Sequence, residues 1–66
     1  MTRLGRRLRL LRNRRALSQE KFAFRAGLHP TYISGVERGA RNLGFINVGR
    51  IAKALGVSVS RFTQGV

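Results

Sequence analysis

Residues 27–42 read GLHPTYISGVERGARN, placing a proline, three glycines, a tyrosine and a lone glutamate together in a chain otherwise crowded with arginine. Gly27 permits a left-handed backbone at a tight turn, Leu28 is placed to plug a core, and Pro30 suits the first turn of a helix, where its missing N–H costs nothing. The spacing predicts a helix from Pro30 to about Arg38, stopped by Gly39 just past its end. With Ile33 at the centre of the inner face and a rotation of about 100° per residue, Val36 and Glu37 also turn inward. Thr31, Gly35 and Arg38 turn outward, and Tyr32 and Ser34 lie on the flanks. The outer face is small and polar, unlike the charged canopy of an ordinary solvated helix.

Upstream lies LSQEKFAFRAG, residues 17–27. Ser18 is a good N-cap, Glu20 in the first turn complements the helix dipole, and Phe22, Ala23 and Ala26 make an inner face for a helix of about two turns that Gly27 stops. Lys21 stands where a capping box would place Glu or Gln, so one reciprocal bond is missing. Further upstream, Leu4, Leu8 and Leu11 recur at helical spacing with arginines on the other faces, which predicts an amphipathic helix over roughly residues 3–14. Leu10 falls outside that stripe, either as an incidental exposed leucine or as part of a contact surface. A membrane-surface role for this helix is the weaker reading, because the stripe is narrow and better core-forming segments follow it.

Downstream, Ile51, Ala52 and Leu55 give an inner stripe to a helix over about 46–55, ended by Gly56, and Ser58 caps a last short helix reaching Phe62. The chain has 66 residues, enough for one domain around one small core, spanning 1–66. Hydrophobic residues make up 42%, too many for a disordered basic tail, and no run approaches the ~18 apolar residues of a membrane span. Cysteine is absent, so neither a disulfide framework nor a thiolate metal site is available. The arginine-rich N-terminus lacks an apolar stretch of signal-peptide type and reads as structure, with the cytoplasm as the expected compartment.

Fourteen Lys and Arg against two acids give a net charge of +12. Cations in such excess must lie on the surface, where they repel one another unless a polyanion is near. The bland alternative is a solvated face, since seven of the arginines fall in the first fifteen residues. Two short helices joined by a glycine turn, the second with a compact hydrogen-bonding face in a strongly cationic protein, describe a helix-turn-helix reader of the DNA major groove.

The stretches LGRRLRLLRNRRALSQEKFAFRAG (4–27), TYISGVERGARN (31–42) and RIAKALGVS (50–58) resemble the Cro/C1-type (Xre-like) helix-turn-helix repressor family, and TYISGVERGARN is particularly similar to the controller proteins of restriction–modification systems. The resemblance runs from Leu4 to about Phe62. It implies an all-α, five-helix, lambda-repressor-like fold, binding of double-stranded DNA as a homodimer at a twofold operator, and transcriptional regulation. By similarity, Glu37 is matched with Arg12 in a buried ion pair, and physics agrees that a buried carboxylate needs a partner. Gln19 matches a position that holds a backbone phosphate beside the free N–H groups of a helix start. His29, Thr31, Tyr32, Ser34 and Gly35 match positions that face base edges or flanking phosphates. Thr and Ser make a weak code, Gly35 offers close approach instead of a side chain, and Tyr32 packs either on a sugar–phosphate or on the core. Arg38, Arg41 and Asn42 are similar in place to phosphate or minor-groove contacts, and Arg15 and Lys21 are further phosphate candidates. For each of these cations the alternative is a solvated side chain.

Leu43, Gly44, Phe45 and Ile46 depart from the family pattern, which has a proline, a Ser or Thr cap and an acid there, and Gly49 adds a helix-weakening residue inside the fourth helix. That helix is expected to be less stable or to begin late. In the family this region builds the dimer interface, and Phe45, Ile46, Val48, Val59 and Phe62 are available for an apolar patch. An enzyme is not expected: one histidine, two acids and no cysteine cannot assemble a nucleophile, base and orienter or an ordinary metal cage, and no cofactor or small-molecule ligand is indicated. The competing functions are a sequence-tolerant nucleoid or RNA-binding protein, a cationic membrane-active peptide, and an antitoxin-like member of the same fold with a protein partner.

Overall fold

In a computed structural model, which describes residues 2–64, the chain forms five helices: α1 (Arg3–Arg14), α2 (Gln19–Ala26), α3 (Pro30–Arg38), α4 (Phe45–Leu55) and α5 (Val59–Phe62). No strand occurs among the described residues, and no helix there is long and apolar enough to cross a membrane. Hydroxyl caps start three of the helices: Thr2 Oγ1 accepts from the Gly5 N–H, Ser18 Oγ from the Lys21 N–H, and Ser58 Oγ from the Arg61 N–H. Each satisfies a donor that the first helical turn leaves free.

The fourth helix departs from expectation. It begins at Phe45, a residue earlier than the pattern suggested, although Gly44 supplies no side-chain cap. The backbone closes the first turn instead: Gly44 is extended, and its carbonyl accepts from the Val48 N–H at 3.0 Å. Phe45 is 96% exposed, so that turn is held by hydrogen bonding and by the buried stripe of Ile51, Ala52 and Leu55 further along.

At the C-termini, Gly27 (φ 70°) and Gly39 (φ 79°) adopt the left-handed conformation that turns the chain sharply out of α2 and α3. The end of α1 makes the corresponding turn without glycine: Ala16 sits at φ 54°, and the Leu17 N–H reaches back to the Arg12 carbonyl at 3.2 Å. A Cβ in that region is strained, so the conformation is held by what surrounds it.

Side chains from all five helices fill the core, with Leu8, Phe22, Ile33, Ile51 and Phe62 fully shielded and Leu11, Val36 and Leu55 nearly so. Helix α3 packs against both α1 and α2, α2 also against α4, and α5 closes on α4. Leu4 and Leu28 are half-buried against this core, whereas Leu10 stays 44% exposed, as its place outside the leucine stripe requires. Phe62 belongs wholly to the core and is unavailable to a surface patch. The crossing of α1 over α3 is made at Gly5, where an added Cβ would stand 2.5 Å from the Val36 carbonyl oxygen and 2.8 Å from that of Glu37. The two backbones touch there with no side chain between them.

Candidate nucleic-acid interface

Below α3 lies the polar link that fixes its orientation. Glu37 is buried on the inner face, and Arg12 reaches it from α1 with both arms of its fork: Nε donates to Oε2 at 2.7 Å and Nη2 to Oε1 at 3.0 Å. The remaining arm, Nη1, donates to the Leu17 carbonyl at 2.7 Å, so the same guanidinium also pins the turn between α1 and α2. A planar fork matched to a carboxylate is the geometry in which a buried pair recovers its desolvation cost. Glu37 accepts one further bond, from Gln19 Nε2 at 3.2 Å. The side chain of Gln19, at the first position of α2, is therefore oriented by the core carboxylate, which the sequence pattern did not reveal.

The outer surface of α3 is built from short polar groups. His29 is the N-cap, its Nδ1 accepting from the Thr31 N–H at 3.1 Å, so any ring proton is carried on Nε2, the outer edge. Thr31 is exposed, and Ser34 and Tyr32 are half-buried on the flanks. Arg38 is exposed at the last turn and its Nε donates to the Ser34 carbonyl at 3.4 Å, along the helix surface. The Tyr32 hydroxyl donates to the Asn42 carbonyl at 3.0 Å, which ties α3 to the loop that follows it. Tyr32 is thus engaged with its own chain, and Asn42 keeps its side chain at the exposed surface.

One expectation for this face needs correction. Helical rotation makes Gly35 an outward position open to close approach, yet it is buried. The loop folds over it: the Ala40 and Arg41 N–H groups both donate to the Gly35 carbonyl, at 2.8 and 3.2 Å, and the aliphatic stem of Arg41 lies across the space a Cβ would occupy. Helical periodicity places a residue around its own axis and says nothing about a loop that returns over the same face.

The charge surrounding this face is uncompensated. Among the described residues Arg12 and Glu37 form the sole ion pair, and Lys21, Arg38 and Arg41 are exposed around the α2 N-terminus, the end of α3 and the loop after it. Arg15 is exposed as well, but its Nη1 donates to the Leu11 carbonyl at 3.1 Å and helps finish α1. No group of three or more His, Cys, Asp or Glu that could hold a metal occurs among the described residues. What the arrangement offers is a shallow polar ridge, the N–H groups of Gln19 and Glu20 at the start of α2, which the Ser18 cap leaves free, and a rim of cations, a shape and charge suited to a nucleic-acid groove.

Comparison with known proteins agrees with this geometry. A family model described as helix-turn-helix matches residues 8–62. Control protein C.BamHI of Bacillus amyloliquefaciens is 50% identical over 54 residues, covering 80% of this chain and 67% of that protein. Among solved structures, the restriction-modification controller protein C.AhdI from Aeromonas hydrophila superposes with a TM-score of 0.87 at 44% identity, covering 89% of each chain. The biofilm regulator SinR, solved in complex with DNA, superposes with a TM-score of 0.84 at 27% identity over 89% of this chain and 95% of its own.

Proposed function

The chain belongs to the helix-turn-helix family of Cro/C1-type DNA-binding transcriptional regulators, and from that premise we propose that it reads a specific, pseudo-palindromic operator in double-stranded DNA as a homodimer. The observation that carries this reading is the outer face of α3: exposed Thr31, half-buried Ser34 and the free edge of His29 stand proud of a rim of unpaired cations, on a helix locked from below by Glu37 and Arg12. Side chains this short reach base edges only when the helix itself enters the major groove. Gln19 and Lys21 at the start of α2, and Arg38, Arg41, Asn42 and Arg15 around the ridge, serve the phosphates and the flanking minor groove, which position the protein and supply most of its affinity.

The homodimer is supported by three of the five large apolar side chains that the fold leaves exposed, Phe45 at 96%, Ile46 at 71% and Val59 at 46%. A twofold pair would set its recognition helices about 34 Å apart, in successive major grooves on one side of the duplex. The similarity to C.BamHI and C.AhdI supports control of restriction–modification genes as the regulatory setting, and the cytoplasm as its place.

Selection from random double-stranded DNA at physiological salt tests the proposal. An inverted repeat with half-sites one helical turn apart is expected, bound at two chains per site. Recovery of unrelated sequences, with affinity that tracks salt alone, would instead assign the protein to sequence-tolerant binding.

A further inference from the structure

We infer that Gly35 acts as a positioning residue for Arg41, seating its stem on α3 so that the guanidinium is aimed before any DNA arrives; this rests on the DNA-binding reading above. At Gly35 a Cβ would meet Arg41 Cγ at 2.6 Å, Cβ at 3.4 Å and Cδ at 3.8 Å. Three successive carbons of one side chain therefore lie along the groove left by the missing methyl group. The backbone is fixed in the same place, since the Arg41 N–H donates to the Gly35 carbonyl at 3.2 Å and the neighbouring Ala40 N–H does so at 2.8 Å. Main chain and stem of Arg41 are thus both held by a single residue of the recognition helix.

Arg41 is exposed, and its guanidinium has no hydrogen-bond partner within the described residues. A long side chain with a restrained root and a free head loses less rotamer freedom on binding than one that begins mobile, and it presents its charge at a set place beside the helix. The other role open to a glycine on this face, direct approach of the DNA backbone, is closed by the stem that covers it. Any other residue at position 35 must displace Cγ, and the cleft lined by Thr2, Leu4, Asn42 and Leu43 gives the displaced stem room to go. The fold survives the change, while the aim of Arg41 does not.

Gly35→Ala, Arg41→Ala and the double variant test this, compared with the wild type by equilibrium binding to the selected operator and by thermal melting. Gly35→Ala is expected to melt at or above the wild-type temperature, because alanine favours the helix. It should lose roughly tenfold in operator affinity, the weight of one groove contact. The double variant should bind no more weakly than Arg41→Ala, the signature of two residues acting as one. In the free wild-type protein, a nuclear Overhauser contact between the Gly35 Hα and Arg41 Hγ protons is expected, and its loss in Gly35→Ala. A wild type that selects no operator overturns the DNA reading and the inference with it. A wild type that binds its operator, with Gly35→Ala equally tight, with additive losses in the double variant, or with a Gly35→Ala defect accounted for by a lowered melting temperature, overturns the inference alone.

Discussion

Gly5 and Gly49 both lie inside helices, and the same substitution should move stability in opposite directions at the two. Replacing an interior helical glycine by alanine ordinarily gains up to about 1 kcal/mol, because the unfolded chain loses freedom and the helix loses none. At Gly49 nothing stands within 4 Å of the new methyl group, so Gly49→Ala should realise that gain. At Gly5 the methyl would stand 2.5 Å from the Val36 carbonyl oxygen, 2.8 Å from that of Glu37 and 3.1 Å from the Glu37 carbonyl carbon. A carbon tolerates a carbonyl oxygen at about 3.3 Å, so α1 and α3 must part by roughly 0.8 Å. Backbone obstructs on both sides, leaving no rotamer change to absorb the overlap. A gap of that size forfeits a quarter to a half of the dispersion energy across the α1–α3 seam, to which the two helices bring buried Leu8, Leu11, Ile33 and Val36. The cost belongs at the upper end of overpacking, about 3 kcal/mol, and subtracting the helix-propensity gain leaves a net loss of about 2 kcal/mol. For a domain of this size the melting temperature should fall by roughly 8–16 °C for Gly5→Ala and rise by roughly 4–8 °C for Gly49→Ala. Thermal melts followed by circular dichroism, at one fixed protein concentration so that any self-association is weighted alike in each, measure both. A Gly5→Ala variant that melts with or above the wild type would refute backbone contact between the two helices at this crossing.

Three further outcomes follow from the same contacts. Glu37→Ala leaves the guanidinium of Arg12 buried without its carboxylate and should cost on the order of 3–5 kcal/mol in urea unfolding; an unchanged midpoint would contradict the pairing. Ala16→Gly removes a Cβ from a left-handed residue at φ 54° and should raise stability by up to about 1 kcal/mol, with a decrease showing that the methyl group packs usefully. Lys21→Ala and Arg38→Ala should each reduce the slope of log affinity against log salt by about 0.9 without changing the preferred operator sequence; a shifted sequence preference would assign that side chain to bases.

The parts of the fold that were readable from sequence are those in which one residue and its near neighbours determine the outcome. Ser18 and Ser58 cap because a hydroxyl three residues before a free N–H has an obvious partner, and Gly27 and Gly39 turn because few other residues tolerate their φ. The inward turn of Ile33, Val36 and Glu37 follows from helical rotation alone. The partner of Glu37 was of a different kind: a buried acid demands a cation, but seven arginines crowd the first fifteen positions, and it was resemblance to a family that singled out Arg12.

What escaped the sequence was each relation between segments distant along the chain or folded back on themselves. Gly5 stands in a helix amid arginines, and its isolation within a leucine pattern was the single local sign that another backbone passes close by. Nothing near Gln19 announced that Glu37, on a different helix, would hold its amide. Gly35 is the sharpest case, because periodicity correctly turned it away from the core while the loop after Gly39 returned to bury it. The exposed face of a recognition helix is therefore a product of two elements, the helix that presents it and the loop that trims it. The stem of Arg41 lies across Gly35, on the helix that carries exposed Thr31 and half-buried Ser34, and in the DNA reading proposed above it brings a cation to the edge of a ridge that has few side chains of its own. On that reading, a surface so sparse in base-reading groups draws part of its specificity from groove width and charge at its margin, a margin that the proposal above assigns to the seat Gly35 gives Arg41.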